Sequence, residues 1–293
     1  MGLVYWKIDY IYEVALFNHL GKVIQSGTRD NSPEAMEAAL FKLTNHQVLR
    51  HMHFPGEKSP LVFLLNGFAL CDQQAKVLTR LLYFRDIKAR AVPLYFASGL
   101  SNHTIFEWFD RDRWVIADPF LHFPINIPAP EFCVLDTRSA RSQTQKHLID
   151  RAYSYYETNQ GLLQELRETY ARSDHATWEY FRRRPETRLA EGAISVPLRI
   201  WPGPYLDFLN TAYQFRHVRS NPLLNQYLKA RHQELMGDCQ KALTGYRALL
   251  PLVEKGGQTH KHLFVLNRGM LKLRIVSNRM HCGIENSGPV MAQ

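Results

Sequence analysis

The chain has 293 residues, of which 45% are apolar, and carries a formal net charge of +9. This length allows a sizeable buried core, in one large domain or in two ordinary ones. No stretch approaches the ~18 consecutive apolar residues of a membrane span, and Asp9 and Glu13 stand where a secretion signal would be apolar. We therefore predict a soluble, cytoplasmic protein without a membrane span.

The positive charge is concentrated in the second half of the chain. Residues 1–144 contain 15 Lys and Arg against 14 Asp and Glu, whereas residues 145–293 contain 21 against 13. The one tight basic cluster, Arg182 to Arg184, fits the basic end of a helix, where cations complement the helix dipole. No nucleic-acid-binding motif accompanies this charge, so we expect a protein partner rather than nucleic acid.

The cysteines and histidines indicate no metal site. The four cysteines, Cys71, Cys133, Cys239 and Cys282, lie far apart and form no Cys-x-x-Cys pair. This spacing argues against a zinc ribbon and against a disulfide framework, so we expect free thiols. His46, His51 and His53 have no carboxylate or cysteine beside them at ligand spacing. We therefore expect neither a metal nor a cofactor.

The N-terminal part of the chain predicts helices and apolar segments. Residues 4–18 are rich in aromatic and β-branched residues and fit either a strand or a short buried helix. Ser32 and Pro33 then indicate the start of a helix that ends near the polar loop at 50–60. After this loop, the apolar residues 61–65 lead into another predicted helix.

That helix is predicted to start at Cys71. Cys71, Ala75, Leu78 and Leu82 recur at helical spacing, so they share one face, and the thiol leads the apolar stripe. A cysteine in this place is either a small hydrophobe that completes a core or a nucleophile whose thiolate is stabilised by the helix's positive end.

Beyond this helix the hydrophobic period changes from about four to two. Residues 86–96 alternate as a strand. Pro93 interrupts this strand and cannot donate a ladder hydrogen bond, so it predicts a sheet edge or a bulge.

A β-hairpin is predicted next, with strands at 103–109 and 113–120 around a polar turn. If the hairpin loop has two or four residues, the residue numbers of the two partners in each cross-strand pair add up to an odd number. This register places His103 and Asp118 on the same face, within reach of a side-chain hydrogen bond. Such a carboxylate can orient an imidazole, which in turn takes a proton from a nucleophile such as Cys71.

The remainder of the chain is predicted to be mainly helical. Residues 142–184 read as helix with a polar break at 172–176, and a proline-rich connection follows at 194–206. The residues at helical spacing are Leu148, Ala152, Tyr155, Leu162, Leu166 and Tyr170. Residues 222–256 predict a helical hairpin that turns at Gly237 and is similar to a single tetratricopeptide-type repeat. Because repeat architectures need about three units to bury a core, an ordinary helical hairpin is the better interpretation.

Residues 64–124 resemble the transglutaminase-like superfamily of papain-type thiol enzymes. The resemblance consists of Cys71 opening a helix, an Ile-x-Ala-Arg-x-Val strand at 87–92, His103 with Glu107 four residues on, and the segment 114–119, Trp-Val-x-x-Asp-Pro. It implies an α+β fold in which the cysteine helix packs against an antiparallel sheet. It further implies that Cys71 is the nucleophile, His103 the general base and acid, and Asp118 the orienting carboxylate.

The chain also departs from this family pattern. Asp86 replaces a frequent glycine, and Asp72 follows the nucleophile where animal transglutaminases have tryptophan. No dense acidic clusters resemble their calcium sites. Papain-like proteases place a glutamine oxyanion donor six residues before the nucleophile, where this chain has Leu65, with Asn66 one position away. The second oxyanion donor is therefore unassigned.

The predicted organisation is a transglutaminase-like domain at 1–140 followed by a basic helical region at 141–293. The leading hypothesis is a thiol enzyme that takes an acyl group from a protein or peptide amide, or from a small acyl compound, and passes it to an amine or to water. Arylamine acetyltransferase-like chemistry is a weaker variant, because that family carries Arg-Gly-Gly-x-Cys where this chain has Gly-Phe-Ala-Leu-Cys. The alternative is a non-catalytic scaffold that binds a protein partner through its C-terminal helices, with Phe68, Trp108 and the cleft as a docking surface.

Overall fold

The computed structural model describes residues 8–28, 30, 32–51, 59–95, 101–134, 143–159, 161–172, 200–256, 259–261 and 264–282. His53 and the Arg182 to Arg184 cluster lie outside the described residues. Helices predominate, and they pack around a four-stranded antiparallel sheet. The predicted α+β class is therefore confirmed.

The N-terminal part forms four helices and a small parallel ladder. The elements are α1 Ile8–Gly27, α2 Pro33–Gln47, β1 Leu49–Arg50, α3 Pro60–Asn66, β2 Phe68–Ala69 and α4 Cys71–Tyr83. The opening segment, which the sequence left undecided, is helical from Ile8 onward. The Ser32 hydroxyl caps α2 by accepting a hydrogen bond from the Ala35 N–H at 3.2 Å.

The antiparallel sheet has the strand order β3-β4-β5-β6. Its strands are β3 Ala89–Tyr95, β4 Ser101–Asp110, β5 Arg113–Asp118 and β6 Phe123–Ile127. Strand β3 lies at an edge and has a register shift between Leu94 and Tyr95, so the prediction from Pro93 is confirmed. In the hairpin, Phe109 pairs with Trp114 and Asp110 with Arg113, which is one of the two predicted registers.

The described C-terminal residues are mainly helical, as predicted, whereas residues 173–199, with most of the predicted polar break and the start of the proline-rich connection, lie outside the described residues. The described part contains α5 Ala129–Cys133, α6 Gln143–Thr158, α7 Leu162–Ala171, α8 Pro202–His217, α9 Pro222–Leu235, α10 Cys239–Gly256, β7 Thr259–Lys261, β8 Phe264–Leu266 and α11 Arg268–His281. Helices α9 and α10 form the predicted hairpin, which turns at Gly237 with φ +83°. A Cβ atom at Gly245 would lie 2.8 Å from the Ala230 Cβ, so this glycine lets α9 and α10 approach closely.

Two hydrophobic cores cover the two faces of the sheet. The first contains Phe106 and Trp108 from β4 and packs them with α1 to α4 and with α8 to α11. The second contains Ile105 and Ile116 from the opposite face and packs them with β6 and α5 to α7. Both cores draw residues from before and after residue 140.

The cysteines do not all remain free. Cys239 at the start of α10 and Cys282 at the end of α11 form a disulfide, so the prediction of four free thiols was wrong for this pair. The two residues are 43 positions apart, and the packing of α10 against α11 brings them together. Cys71 and Cys133 are free.

No helix among the described residues is long and apolar enough to cross a membrane.

Candidate active site

Cys71 is the first residue of α4, as the sequence predicted. The side chain is partly exposed, and α4 packs on β3 and β4. The Leu70 N–H donates to the Gln73 side chain at 3.0 Å, and the Gln74 amide donates to the Val48 carbonyl at 2.6 Å. These two bonds hold the first turn of α4 in place.

The segment that leads into α4 is held from both sides. The Leu49 N–H donates to the Gly67 carbonyl at 2.8 Å, and the His51 N–H donates to the Ala69 carbonyl at 3.0 Å. Gly67 has φ +74°, and a Cβ atom there would lie 3.3 Å from Arg231 Nε. Only glycine adopts this positive φ and fits this space without strain, so the backbone conformation before Cys71 depends on Gly67.

Helix α9 supplies the contacts on the other side of this turn. The Tyr227 hydroxyl donates to the Asn66 carbonyl at 2.6 Å, and Arg231 Nε donates to the Leu64 carbonyl at 3.1 Å. These carbonyls belong to the C-terminal end of α3, where helical carbonyls have no partner within the helix. The C-terminal region thus positions the start of the cysteine helix.

His103 and Asp118 meet in the hairpin, as the predicted register required. His103 Nε2 and Asp118 Oδ2 lie 2.6 Å apart, and Asp118 is completely buried. The Tyr156 hydroxyl donates to the same carboxylate oxygen at 2.6 Å, and the Leu121 N–H donates to Oδ1 at 3.0 Å. The carboxylate is therefore fixed by three donors.

The electrostatics of the site favour a charged pair. Burial opposes a charge on His103, but the Asp118 carboxylate and its hydrogen bond, followed by Cys71, raise the pKa of His103 to about 10. Burial also opposes a charge on Asp118, yet His103, Tyr156 and the Leu121 N–H together hold its pKa below the ordinary value. At neutral pH the site thus contains an imidazolium and a carboxylate.

Cys71 lies beside the same imidazole. A hydrogen bond and a charge interaction with Cys71 both contribute to the raised pKa of His103. Since Nε2 is bonded to Asp118, Nδ1 is the ring nitrogen left for proton exchange with the thiol. The structure therefore brings the three predicted site residues together in the order thiol, imidazole and carboxylate.

The first turn of α4 also offers backbone donors. The first N–H groups of a helix have no partner within the helix, and Cys71 and Asp72 occupy these positions. They can donate to an oxyanion formed on a carbonyl that Cys71 attacks. Leu65 and Asn66, where a second donor was sought, are buried in α3, so neither side chain faces a bound substrate.

Other residues singled out in the sequence have structural roles. Arg90 Nε lies 2.6 Å from a Glu107 carboxylate oxygen, and the Tyr170 hydroxyl donates to the other oxygen. Glu107 thereby ties β4 to β3 and α7. Phe68 and Trp108 are fully buried in the first core, so the docking surface proposed for them is wrong.

Tyr156 is the site residue that the sequence did not reveal. The predicted stripe of α6 used Leu148, Ala152 and Tyr155, whereas the buried residues are Ile149, Ala152 and Tyr156. Both sets have nearly helical spacing, so periodicity alone could not choose between adjacent tyrosines. Burial of a hydroxyl needs a partner, and here that partner is Asp118.

No group of three or more histidine, cysteine, aspartate or glutamate side chains within the described ranges is arranged to hold a metal ion. Comparison of the chain with protein-family models, curated proteins and solved structures finds no match.

Replacing Tyr156 by phenylalanine is expected to lower the free energy of unfolding by about 1.5–3 kcal/mol, because Asp118 loses a charge-assisted hydrogen bond. Urea denaturation measures this loss. Tyr155 is the matched control, since its ring contacts Phe123 and its hydroxyl has no hydrogen bond to a described residue. Tyr155→Phe should change stability by less than about 0.5 kcal/mol, and equal losses for both variants would contradict the assigned role of Tyr156.

Proposed function

We propose that the protein is a thiol enzyme of transglutaminase-like type, in which Cys71 forms an acyl-enzyme from an amide or ester. The observation that carries this proposal is the bond of 2.6 Å between His103 Nε2 and Asp118 Oδ2, with Cys71 beside the same imidazole at a helix N-terminus. A thiol, a base and an orienting group in this order are the parts that nucleophilic catalysis requires.

In the first step, the Cys71 thiolate attacks the substrate carbonyl, and its carbon–oxygen π bond opens to an oxyanion near the backbone donors of α4. The oxyanion then collapses, the bond to the leaving group breaks, and His103 Nδ1 donates its proton to the leaving amine or alcohol. The product is a thioester on Cys71. Asp118 keeps the imidazole in the orientation that this transfer needs.

In the second step, an amine or water attacks the thioester. His103 Nδ1 accepts the proton of the attacking group, and the Cys71 thiolate leaves. Transfer to an amine is transamidation, and transfer to water is hydrolysis. A protein or peptide amide and a small acyl compound are both proposed substrate classes.

We extend the proposal to a transglutaminase-like fold and a cytoplasmic location. A cysteine helix packed on an antiparallel sheet supports a transglutaminase-like core. A cytoplasmic location stays a prediction. The Cys239–Cys282 disulfide argues against it, because disulfides persist mainly in oxidising compartments.

The test is capture of the acyl-enzyme. The protein is incubated with 4-nitrophenyl butyrate at about pH 7, quenched in acid and digested, and the Cys71 peptide is examined by mass spectrometry. We expect a butyryl group on Cys71, none on Cys133, and loss of the thioester when a primary amine is added. An unmodified Cys71, or equal acylation of Cys133, would refute the proposed activity and leave the scaffold alternative.

A further inference from the structure

A cavity of about 530 Å³ is lined in part by Phe120, which contacts His103, and by Leu121, which donates to Asp118. Ligand pockets commonly measure 300–1,000 Å³. Its apolar wall is formed by Phe120, Leu121 and Phe123, and its other lining residues are Arg50, His122, Arg151, Ser154, Tyr155 and Thr158. The cavity is thus large enough for part of a small substrate.

The charges that line this cavity are positive. Arg50 and Arg151 are both exposed, and no carboxylate is among the described lining residues. Arg151 has no ion-pair partner within the part of the chain that the structure describes. Burial and the nearby Arg50 charge lower the pKa of His122 more than Asp118 raises it. This imidazole is therefore neutral at pH 7. Arg50 and Arg151 are therefore the arginines among the described lining residues.

The cavity shares its wall with the candidate active site. The Phe120 ring lies 5.9 Å from the His103 ring, and the Arg50 guanidinium lies 4.4 Å from the centre of the same phenylalanine. The backbone N–H of Leu121 donates to Asp118. On the other side, Arg50 pairs with Ala69 in the ladder that ends just before Cys71. The cavity and the candidate site therefore share Phe120 and Leu121 as common neighbours.

We propose that this cavity is an anion-binding subsite, which receives a carboxylate or phosphate group carried by the acyl part of the substrate of Cys71. Guanidinium groups bind both anions through paired N–H donors, and the apolar wall accommodates the chain that carries the anion. This inference rests on the proposed thiol activity for its substrate, but anion binding itself requires no reaction at Cys71.

The first measurement is binding without chemistry. Phenylacetate, phenyl phosphate and the neutral phenylacetamide are titrated by ligand-observed NMR into the wild type, Arg50→Gln, Arg151→Gln and the control Arg247→Gln. Arg247 is exposed on α10, which contributes no residue to the described cavity lining, and its replacement removes the same charge. We expect both anions to bind at least about tenfold more tightly than the amide, and each cavity variant to lose about tenfold.

The preference between phenylacetate and phenyl phosphate identifies which anion the subsite takes. Anions that bind no better than the amide would overturn the inference, as would a control variant that weakens binding as much as the cavity variants.

The second measurement is acylation of Cys71 by 4-nitrophenyl monoesters of glutaric, adipic and suberic acid, compared with 4-nitrophenyl valerate, hexanoate and octanoate. In the wild type the monoester of at least one chain length should react about tenfold faster than its neutral counterpart. Arg50→Gln and Arg151→Gln should abolish this preference, and Arg247→Gln should keep it.

The two measurements separate the two proposals. If no ester acylates Cys71, the thiol activity fails while the binding data still decide on the anion site. If all esters react without a charge preference, the activity stands and the assignment of the cavity to the acyl substrate is overturned.

Discussion

Replacing His103 by alanine is expected to slow the alkylation of Cys71 by iodoacetamide about 30-fold at about pH 7, because an ordinary thiol is only a few per cent ionised there. In the wild type, a protonated His103 is hydrogen-bonded to Cys71 and holds its positive charge beside the sulfur. Peptide mass spectrometry of timed samples measures the rate. Cys133 is the internal control. Burial raises its pKa to about 11, although Arg167 has an opposing effect, so this cysteine stays a thiol.

The difference between the two proteins should depend on pH. As the pH approaches 10, His103 loses its proton and thiols ionise without help, so the two alkylation rates should converge. Asp118→Asn should fall between wild type and His103→Ala, because the imidazole keeps its place but loses its anionic partner. A Cys71 that reacts as slowly as Cys133 in the wild type would remove the basis for a thiol enzyme.

The same pair links stability to pH in a defined direction. The pKa of His103 rises from about 6.5 to about 10 on folding, so its stabilising contribution is complete below about pH 6.5 and is lost as the pH rises through 10. The pKa of Asp118 falls on folding, so its contribution is present at neutral pH and is lost in acid. The pair therefore stabilises the fold most on the acidic side of neutrality.

Replacing Glu234 by glutamine is expected to lower the free energy of unfolding by about 3–5 kcal/mol, because it leaves two buried cations without their anion. Glu234 Oε2 lies 2.8 Å from Arg231 Nη1 and 2.9 Å from Arg274 Nε, and all three side chains are fully buried. Tyr246 donates to the same carboxylate at 2.6 Å. Burial would raise the pKa of Glu234, but Arg274 and Arg231 lower it more strongly.

Urea denaturation measures this loss, and Glu157→Gln on the exposed side of α6 is the matched control. The control should change stability by less than about 0.5 kcal/mol. A loss below about 1 kcal/mol for Glu234→Gln would show that water or rearrangement compensates the two arginines. Because Arg231 also holds the Leu64 carbonyl, a folded Glu234→Gln protein should in addition show slower alkylation of Cys71.

The disulfide shows the limit of counting cysteines. The wide sequence spacing of the four cysteines predicted free thiols. However, spacing in the sequence does not show which helix ends meet in space. Helices α10 and α11 pack side by side, so Cys239 at the start of one reaches Cys282 at the end of the other. Pairing of this kind depends on tertiary packing, which a local pattern does not encode.

Local sequence patterns were sufficient to predict the individual parts of the candidate site. Helical spacing placed Cys71 at the start of α4, and the two-residue period with its polar turn placed His103 and Asp118 on one face of a hairpin. These inferences succeeded because backbone geometry sets both periods, and because the parity of a hairpin register follows from its loop length.

The surroundings of these three residues depend on long-range packing that no local pattern predicts. Tyr156 reaches Asp118 across 38 positions, Tyr227 reaches Asn66 across 161, and Arg50 shares a cavity with Arg151. Each of these contacts joins elements that are distant in the chain. Such contacts arise when whole faces of helices and sheets are buried together, and many alternative packings satisfy the same local periodicity.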